Sequence, residues 1–368
     1  MDVLLVTPAF PPQSGGIGTL MYGFSTNSNQ NIDVLTEKGK KRSSEHTEDL
    51  RIDDMEGIRG LYRTWRYTSK LHEEYDLIYF GHPLQSIIGA YLNADYIVNA
   101  HARELLDSPS SLKTRIESYL ISSGLNSANA VIAVSQWTKE RLIERGVSGN
   151  DIYQIPPGVG RAYLDYNKQT EDTKQHLSKY DIPPDAPLLL TVSRLDPRKG
   201  HDLVLESIVN IPDTHYLICG TGPLRNDLEE KARRLGIDQR VHFAGYVEKR
   251  HLPHYYSLSD VFVMPSKYIK ETGNIEGFGI VFLEANAVGT PVVGTQTGGI
   301  PSAIKENETG LLVEPTVRSV SDAIQRLVDN DDLRERLGKN GKEWAQSHSW
   351  KNVSGKIDAV IESSIDNH

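Results

Sequence analysis

With one cysteine, Cys219, in 368 residues, the chain cannot form an internal disulfide, and this scarcity suits a reducing compartment. Cys219 lies in the apolar text HYLICGTG, so buried strand packing is its expected role. No apolar run is long enough for a membrane-spanning helix. The opening MDVLLVTPAF reads as a strand without a charged leader or cleavage site, so neither secretion nor a membrane span is expected. The expected location is the cytoplasm, with peripheral contact at the inner face of the membrane left open. A basic excess is missing too: the formal net charge is −9, which argues against a general nucleic-acid binder. No histidine or cysteine cluster suggests zinc. Asp329 to Asp331, DND, matches D-x-D in form, but its setting between helical stretches reads as a solvated helix start. No metal or other cofactor is expected, and no repeat or low-complexity tract is evident.

What is present is an ordinary globular composition, 38% hydrophobic and 24% charged, with 30 glycines and 18 prolines marking many turns. The length suits two domains of typical size. Short apolar runs alternate with helix-like text, and that alternation predicts parallel sheets covered on both faces. In the first half, Val3 to Val6 is a strand, PAFPPQSGGIG a glycine loop, and Thr19 to Phe24 a helix. Gly15, Gly16 and Gly18 could bring bare amides against a diphosphate, although the loop taken alone is better explained as a plain turn. IDVLT reads as a strand, KGKKRSSEHTEDLR as a charged loop and GIRGLYRTWRY as a basic aromatic segment, either solvated or in contact with a phosphate or lipid headgroup. Further strands are expected at Leu77 to Phe80, Tyr96 to Asn99 and Val131 to Val134. His101 follows one of these directly, where ligands of a parallel sheet gather, and histidine exchanges protons near neutrality. Arg103 and Glu104 come next and face the acceptor in this reading. A serine in Ala133 to Gln136 caps the helix that begins at Trp137. The polar stretch Arg161 to Lys179 reads as a linker with a short helix.

The second half repeats the pattern. PLLLTVSRLDPRKGHDLVLESI gives a strand, a loop with Arg194, Arg198 and Lys199, and a helix. Arg194 and Lys199 suit two phosphates, one by a planar fork and the other as a mobile point charge, while Arg198 reads as solvated. Gly220 and Gly222 allow close backbone approach or form a tight turn. Gly245, Tyr246 and Val247 follow another strand, and Pro265 and Ser266 end one directly before the most informative stretch, Glu276 to Glu284, EGFGIVFLE. There Gly277 and Gly279 permit a sharp turn into a buried helix over Ile280 to Ala287, whose N-terminus attracts anions or sugar hydroxyls. Eight helical residues would separate the two glutamates by ~12 Å, one for each end of an extended ligand. The turn at Gly298 and Gly299 is expected to line the site, and HSWKNVSGKIDAVIESSI is a closing helix.

E-x7-E followed by ANAVGTPVVGTQTGGIPSAIKENETGLLVEP, with the R-L-x-x-x-K-G motif upstream, resembles the retaining glycosyltransferases of family 4, and the likeness extends over most of the chain. Within that family GNIEGFGIVFLEANAVGTPVV looks most like the GDP-mannose-dependent phosphatidylinositol mannosyltransferases. The resemblance implies an α/β protein of GT-B fold, with two Rossmann-like parallel-sheet domains facing across a cleft and a C-terminal helix crossing back to the first. The expected division is residues 1–170 with helix 348–368 on the acceptor side, and 171–347 for the nucleotide sugar. His101, Glu276, Arg194 and Lys199 would be the catalytic set. Gly15, Gly16, Gly18, Gly220, Gly222, Tyr246, Val247, Gly277, Phe278, Gly279 and Glu284 would bind the donor, Glu284 through ribose and Glu276 through sugar hydroxyls. The implied reaction moves a hexose, first of all mannose, from a nucleotide diphosphate sugar to a lipid-linked or glycan acceptor with retention. UDP-glucose or UDP-N-acetylglucosamine is the alternative donor. A glycoside hydrolase using both glutamates needs carboxyl groups ~5 to 9.5 Å apart, and a non-catalytic sugar-binding subunit would have no use for His101 with both cations.

Overall fold

Apolar runs flanked by glycine and proline form strands buried on both faces, as parallel sheets require. The computed structural model describes residues 1–11, 15–37, 49–52, 55, 57–106, 112–167 and 179–366. They fall into two units, Met1–Gly158 with Trp350–His368, and Val159–Ser349.

In the first unit the strands are β1 (Asp2–Thr7), β2 (Asn31–Glu37), β3 (Asp49–Ile52), β4 (Leu77–Phe80), β5 (Tyr96–Ala100), β6 (Ala130–Ala133) and β7 (Ile152–Gln154). They form one parallel sheet in the order β3-β2-β1-β4-β5-β6-β7. The order reverses between β1 and β4, and a doubly wound sheet gathers its ligands beyond the strand ends at such a reversal. The closing helix, Trp350–Asp366, belongs to this unit as expected. It packs on helix Gly16–Ser25, where a Cβ on Gly23 would lie 2.3 Å from the Trp350 ring. Asp358 accepts from Ser28 Oγ at 2.5 Å and from the Asn29 amide at 2.8 Å.

Three local expectations change here. Strand β3 begins inside the stretch read as a charged loop; it is a short edge strand paired only with β2, and its polar–apolar alternation, DLRI, spans only four residues at the end of a charged tract. GIRGLYRTWRY lies in a helix, Gly57–Leu71. Leu61, Thr64, Trp65, Thr68 and Leu71 point inward at helical spacing, while Arg59, Arg63, Arg66 and Lys70 are exposed. The first helix starts at Gly16 rather than Thr19, so Gly16 and Gly18 are helical. Residues 38–48 of the charged stretch lie outside the described residues.

The second unit has β8 (Leu188–Val192), β9 (His215–Cys219), β10 (Val241–Gly245), β11 (Val261–Val263), β12 (Val292–Thr295) and β13 (Gly310–Val313). Its parallel order is β10-β9-β8-β11-β12-β13, reversing between β8 and β11. Cys219 is buried in β9, as expected, and burial pushes its thiol up to about 12. The change of unit comes at Gly158, earlier than residue 170, and the return comes at Trp350 rather than 348. Packing explains both shifts. Tyr163 of helix Arg161–Leu164 is buried with its ring 6.0 Å from Tyr256, and the Val159 amide donates to the His348 carbonyl at 2.8 Å. Residues 168–178 of the expected linker lie outside the described residues.

Candidate active site

The loops that leave β8 and β11 are tied together by their backbones. The Asp196 carboxylate accepts from the Arg198 amide at 3.1 Å and closes a short turn. Gly200 then adopts φ 74°, where a Cβ would lie 2.1 Å from the Pro265 carbonyl oxygen, so glycine is required. The Lys267 amide donates to the Arg198 carbonyl at 2.7 Å, and its ammonium pairs with Asp202 at 2.6 Å. The loop after β12 joins them: the Gly299 amide donates to the Glu276 carbonyl at 2.8 Å, and Gly298, at φ 57°, leaves no room for a Cβ beside that carbonyl.

This lacing brings three charges together at the sheet reversal. Lys199 Nζ is 2.6 Å from Glu276 Oε2, and Arg198 Nη1 bonds the same oxygen. The side chains retain 12%, 20% and 15% exposure for Lys199, Arg198 and Glu276. Burial alone would raise the Glu276 carboxyl, but the charges of Lys199 and Arg198 outweigh it and hold it down at about 2. Arg198, expected to be solvated, is therefore part of the cluster. Arg194 is exposed, and among the described residues no ion pair joins it to Glu276. Its carbonyl is held from below by buried His201, whose Nε2 lies 3.3 Å away. Burial lowers the His201 ring to about 4.

Helix Ile280–Val288 starts beyond the glycine turn, as expected, with Gly279 at φ 92° as its N-cap and Phe278 buried beneath it. Because the helix begins only at Ile280, four helical residues or ~6 Å of rise precede Glu284, not eight from Glu276. Glu284 is half-buried. Tyr256 Oη donates to its Oε2 at 2.9 Å, and Tyr163 also hydrogen-bonds it. Burial raises this carboxyl against those hydroxyls and the Lys249 charge. The two glutamates thus stand in opposite electrostatic settings on one device.

Other candidates in this unit divide by surroundings. A Cβ on Gly220 would lie 1.8 Å from the Ser193 carbonyl, and one on Gly222 2.4 Å from that of Leu195, so close backbone crossing accounts for both glycines. Tyr246 is 72% exposed and Val247 half-buried beyond the bulged end of β10. Gly277 is half-buried between Glu276 and Phe278.

In the first unit, Gly15 and Gly16 are exposed, and a Cβ on either would meet nothing within 4 Å, whereas Gly18 is buried in the helix. His101 sits directly after β5. Its amide donates to Glu104 Oε1 at 2.6 Å, its carbonyl accepts from Thr138 Oγ1 at 2.6 Å, and its Nε2 lies 2.8 Å from the Gly81 carbonyl. Glu104, expected to face the acceptor, is turned to this backbone. Burial would raise its carboxyl, but His101, His82 and the bonds it accepts hold it below the ordinary range. Burial lowers His82 against the Glu104 charge. Arg103 is exposed. Ser135 caps helix Gln136–Glu144 at 3.1 Å, one residue before Trp137.

No group of three or more histidine, cysteine or acidic side chains among the described residues could hold a metal ion. In DND, Asn330 caps helix Asp331–Ser347, accepting from the Leu333 amide at 2.8 Å, which is the solvated helix start expected. No helix among the described residues is long and apolar enough to cross a membrane. Sequence reasoning missed Arg198, Tyr163, Tyr256 and His82. The pair R-K beside the motif lysine was a usable signal for Arg198; the tyrosines act across long separations that no local pattern reveals.

Comparison with known proteins gives two family models, one described as Glycosyltransferase Family 4 over residues 15–162 and one as Glycosyl transferases group 1 over residues 172–344. The chain is 26% identical to a GDP-mannose-dependent alpha-(1-6)-phosphatidylinositol monomannoside mannosyltransferase of Mycolicibacterium smegmatis, over 98% of each chain. It is 32% identical to the enzyme of the same name from Mycobacterium tuberculosis, over 62% of this chain and 60% of the relative. Among solved structures, HepE of Anabaena in complex with UDP superposes with a TM-score of 0.82 at 19% identity, over 99% of this chain and 100% of that one.

Proposed function

This chain belongs to glycosyltransferase family 4, is a transferase of GT-B fold, and from that footing we propose that it moves mannose from GDP-mannose to a lipid-linked acceptor with retention of configuration. The observation that carries the reading is the cluster of Lys199, Arg198 and Glu276 at the β8–β11 reversal. As the sugar–phosphate bond breaks, negative charge grows on the β-phosphate, and preorganised cations in a partly desolvated site lower that barrier. In this cluster Glu276 occupies both cations. A diphosphate would compete for them, and the freed carboxylate would turn to sugar hydroxyls, which are its complementary donors. Arg194, exposed on the same loop, would reach the phosphates from the solvent side. Glu284, steadied by two tyrosine hydroxyls, is suited to ribose.

The preference for GDP-mannose and a phosphoinositide-type acceptor comes from the two mycobacterial relatives and from the likeness of the EGFGIVFLE region to their subfamily. The exposed basic face of helix Gly57–Leu71 is compatible with peripheral contact at an anionic membrane. The test is a thermal-shift panel of GDP-mannose, UDP-glucose and UDP-N-acetylglucosamine, followed by transfer to phosphatidylinositol mannoside in vesicles. Stabilisation by about 2.7 kcal/mol is expected at a hundredfold excess of ligand over Kd, with GDP-mannose alone giving product. Transfer from a UDP sugar in its place would replace the mannose assignment, and full activity in both Lys199→Ala and Glu276→Gln would remove the cluster from the mechanism.

A further inference from the structure

The His101 ring sits in a chain of hydrogen bonds that begins deep in the first sheet. Its Nε2 is 2.8 Å from the Gly81 carbonyl oxygen. A carbonyl only accepts, so the ring proton belongs on Nε2. Nδ1 lies 3.4 Å from Asn99 Nδ2, and a ring protonated at Nε2 offers a lone pair there for the amide to donate into. That fixes which way Asn99 faces: its Oδ1 is left to accept from Tyr79 Oη, 2.9 Å away. Tyr79 and Asn99 are fully buried. The opposite amide orientation would place Nδ1–H against Oδ1, leave the Nε2 lone pair on a carbonyl oxygen, and deprive the Tyr79 hydroxyl of its acceptor. Each contact therefore selects the next.

From this we infer that Tyr79 and Asn99 are positioning residues that hold His101 as the Nε2–H tautomer, so that the ring meets substrate as a hydrogen-bond donor and not as a proton acceptor. The inference rests on the transferase reading above only for what the substrate is. Neither ring nitrogen is free for a proton taken from an acceptor hydroxyl, since Nδ1 is filled by Asn99 and Nε2 already carries hydrogen. Nε2–H is able to exchange the Gly81 carbonyl for a hydroxyl oxygen of the sugar without any change of protonation. The charged and titratable groups beside this ring are Glu104, on the turn after β5, and His82, after β4, while Tyr79 reaches it only through Asn99. Glu104 spends its oxygens on the His101 and Ala102 amides at 2.6 and 3.3 Å, so it steadies the backbone rather than replacing Asn99 at the ring.

The decisive measurement is the pair of imidazole 15N shifts of His101 in the intact wild-type chain without donor, at a pH where the ring is neutral. A protonated-type shift at Nε2 and an unprotonated one at Nδ1 is expected; the reverse assignment, or an averaged pair, overturns the inference whatever the enzyme transfers. Asn99→Asp, which accepts where Asn99 donates, is expected to move the proton to Nδ1 and to lower transfer at least 10-fold. Unchanged 15N shifts in a folded Asn99→Asp chain also overturn it. Should that variant fail to fold, Tyr79→Phe keeps the ring and removes only the hydroxyl that orients Asn99, and a mixture of tautomers is then expected. A confirmed tautomer in a chain inert toward every nucleotide sugar would leave this inference standing and defeat the transferase reading.

Discussion

The two units share a sheet topology but equip its reversal differently. In the second, β8 and β11 end in charged groups, with two cations closing on one carboxylate and glycines whose absent side chains let three loops lock together. In the first, the strand ends carry a hydrogen-bonded chain, Tyr79, Asn99, His101 and the Gly81 carbonyl, beside one acid used on backbone amides. Under the function proposed above, the contrast would correspond to two different tasks. A leaving diphosphate needs charge placed in advance, whereas a sugar hydroxyl needs only a donor facing the right way.

The largest test of that contrast removes one charge. Lys199→Ala should lower kcat by ~100 to 1000-fold, as loss of one preorganised donor does, and should also lower the thermal midpoint, because Lys199 is the first of the two charges that hold the Glu276 carboxylate in this partly buried cluster. Initial rates with GDP-mannose, set beside those of Asn99→Asp, check whether the charged cluster outweighs the hydrogen-bonded chain; equal losses would erase the distinction. Acid comes next. Buried His201, lowered to about 4, contributes stability that is complete above the unfolded value near 6.5 and is lost as pH falls toward 4. Glu276, held at about 2, contributes stability present above its ordinary 4.5 and lost as pH falls toward 2. Each amounts to roughly 3 kcal/mol. Hydrogen exchange at pH 7, 5 and 4 should therefore show β8 and β9 losing protection first through His201, and no loss between pH 7 and 4 would contradict its burial as a neutral ring.

Glycines sharpen the comparison further. Gly200→Ala should cost at least about 2 kcal/mol in urea unfolding, because a Cβ meets the Pro265 carbonyl at a positive φ. Gly16→Ala should change stability by less than about 0.5 kcal/mol, since nothing stands within 4 Å of the added carbon. A fall in transfer by Gly16→Ala without loss of stability would then report close approach of a ligand to that loop. The smallest effect belongs to Tyr246→Ala, exposed at the end of β10. Its unfolding should be unchanged within about 0.5 kcal/mol, and any effect should appear as a modest rise in donor KM.

Much of this was legible because it is local. Alternating apolar runs and glycine loops announced two parallel sheets, and EGFGIVFLE announced a turn into a buried helix with acids on both sides. What escaped depends on pairing across the chain. DLRI alternates over four residues only, and its place as a strand shows in the pairing with β2. Arg198 looked solvated until the loop after β11 brought Glu276 to it, 78 residues away. Tyr163 was read as linker, yet it is held by Glu284, and that packing moves the boundary between units to Gly158. Asn99 looked like a strand terminus, since nothing in the local text says that a buried tyrosine twenty residues earlier will set its amide.

The main-chain ties among the loops after β8, β11 and β12 have a consequence for how this scaffold tolerates change. Because amides and carbonyls of residues 198, 267, 276 and 299 do the fastening, the side chains at the rim are released from holding the frame. Arg194 and Tyr246 can then be exchanged by selection or by an engineer hunting a new sugar donor, and the architecture will absorb the experiment without needing repair elsewhere.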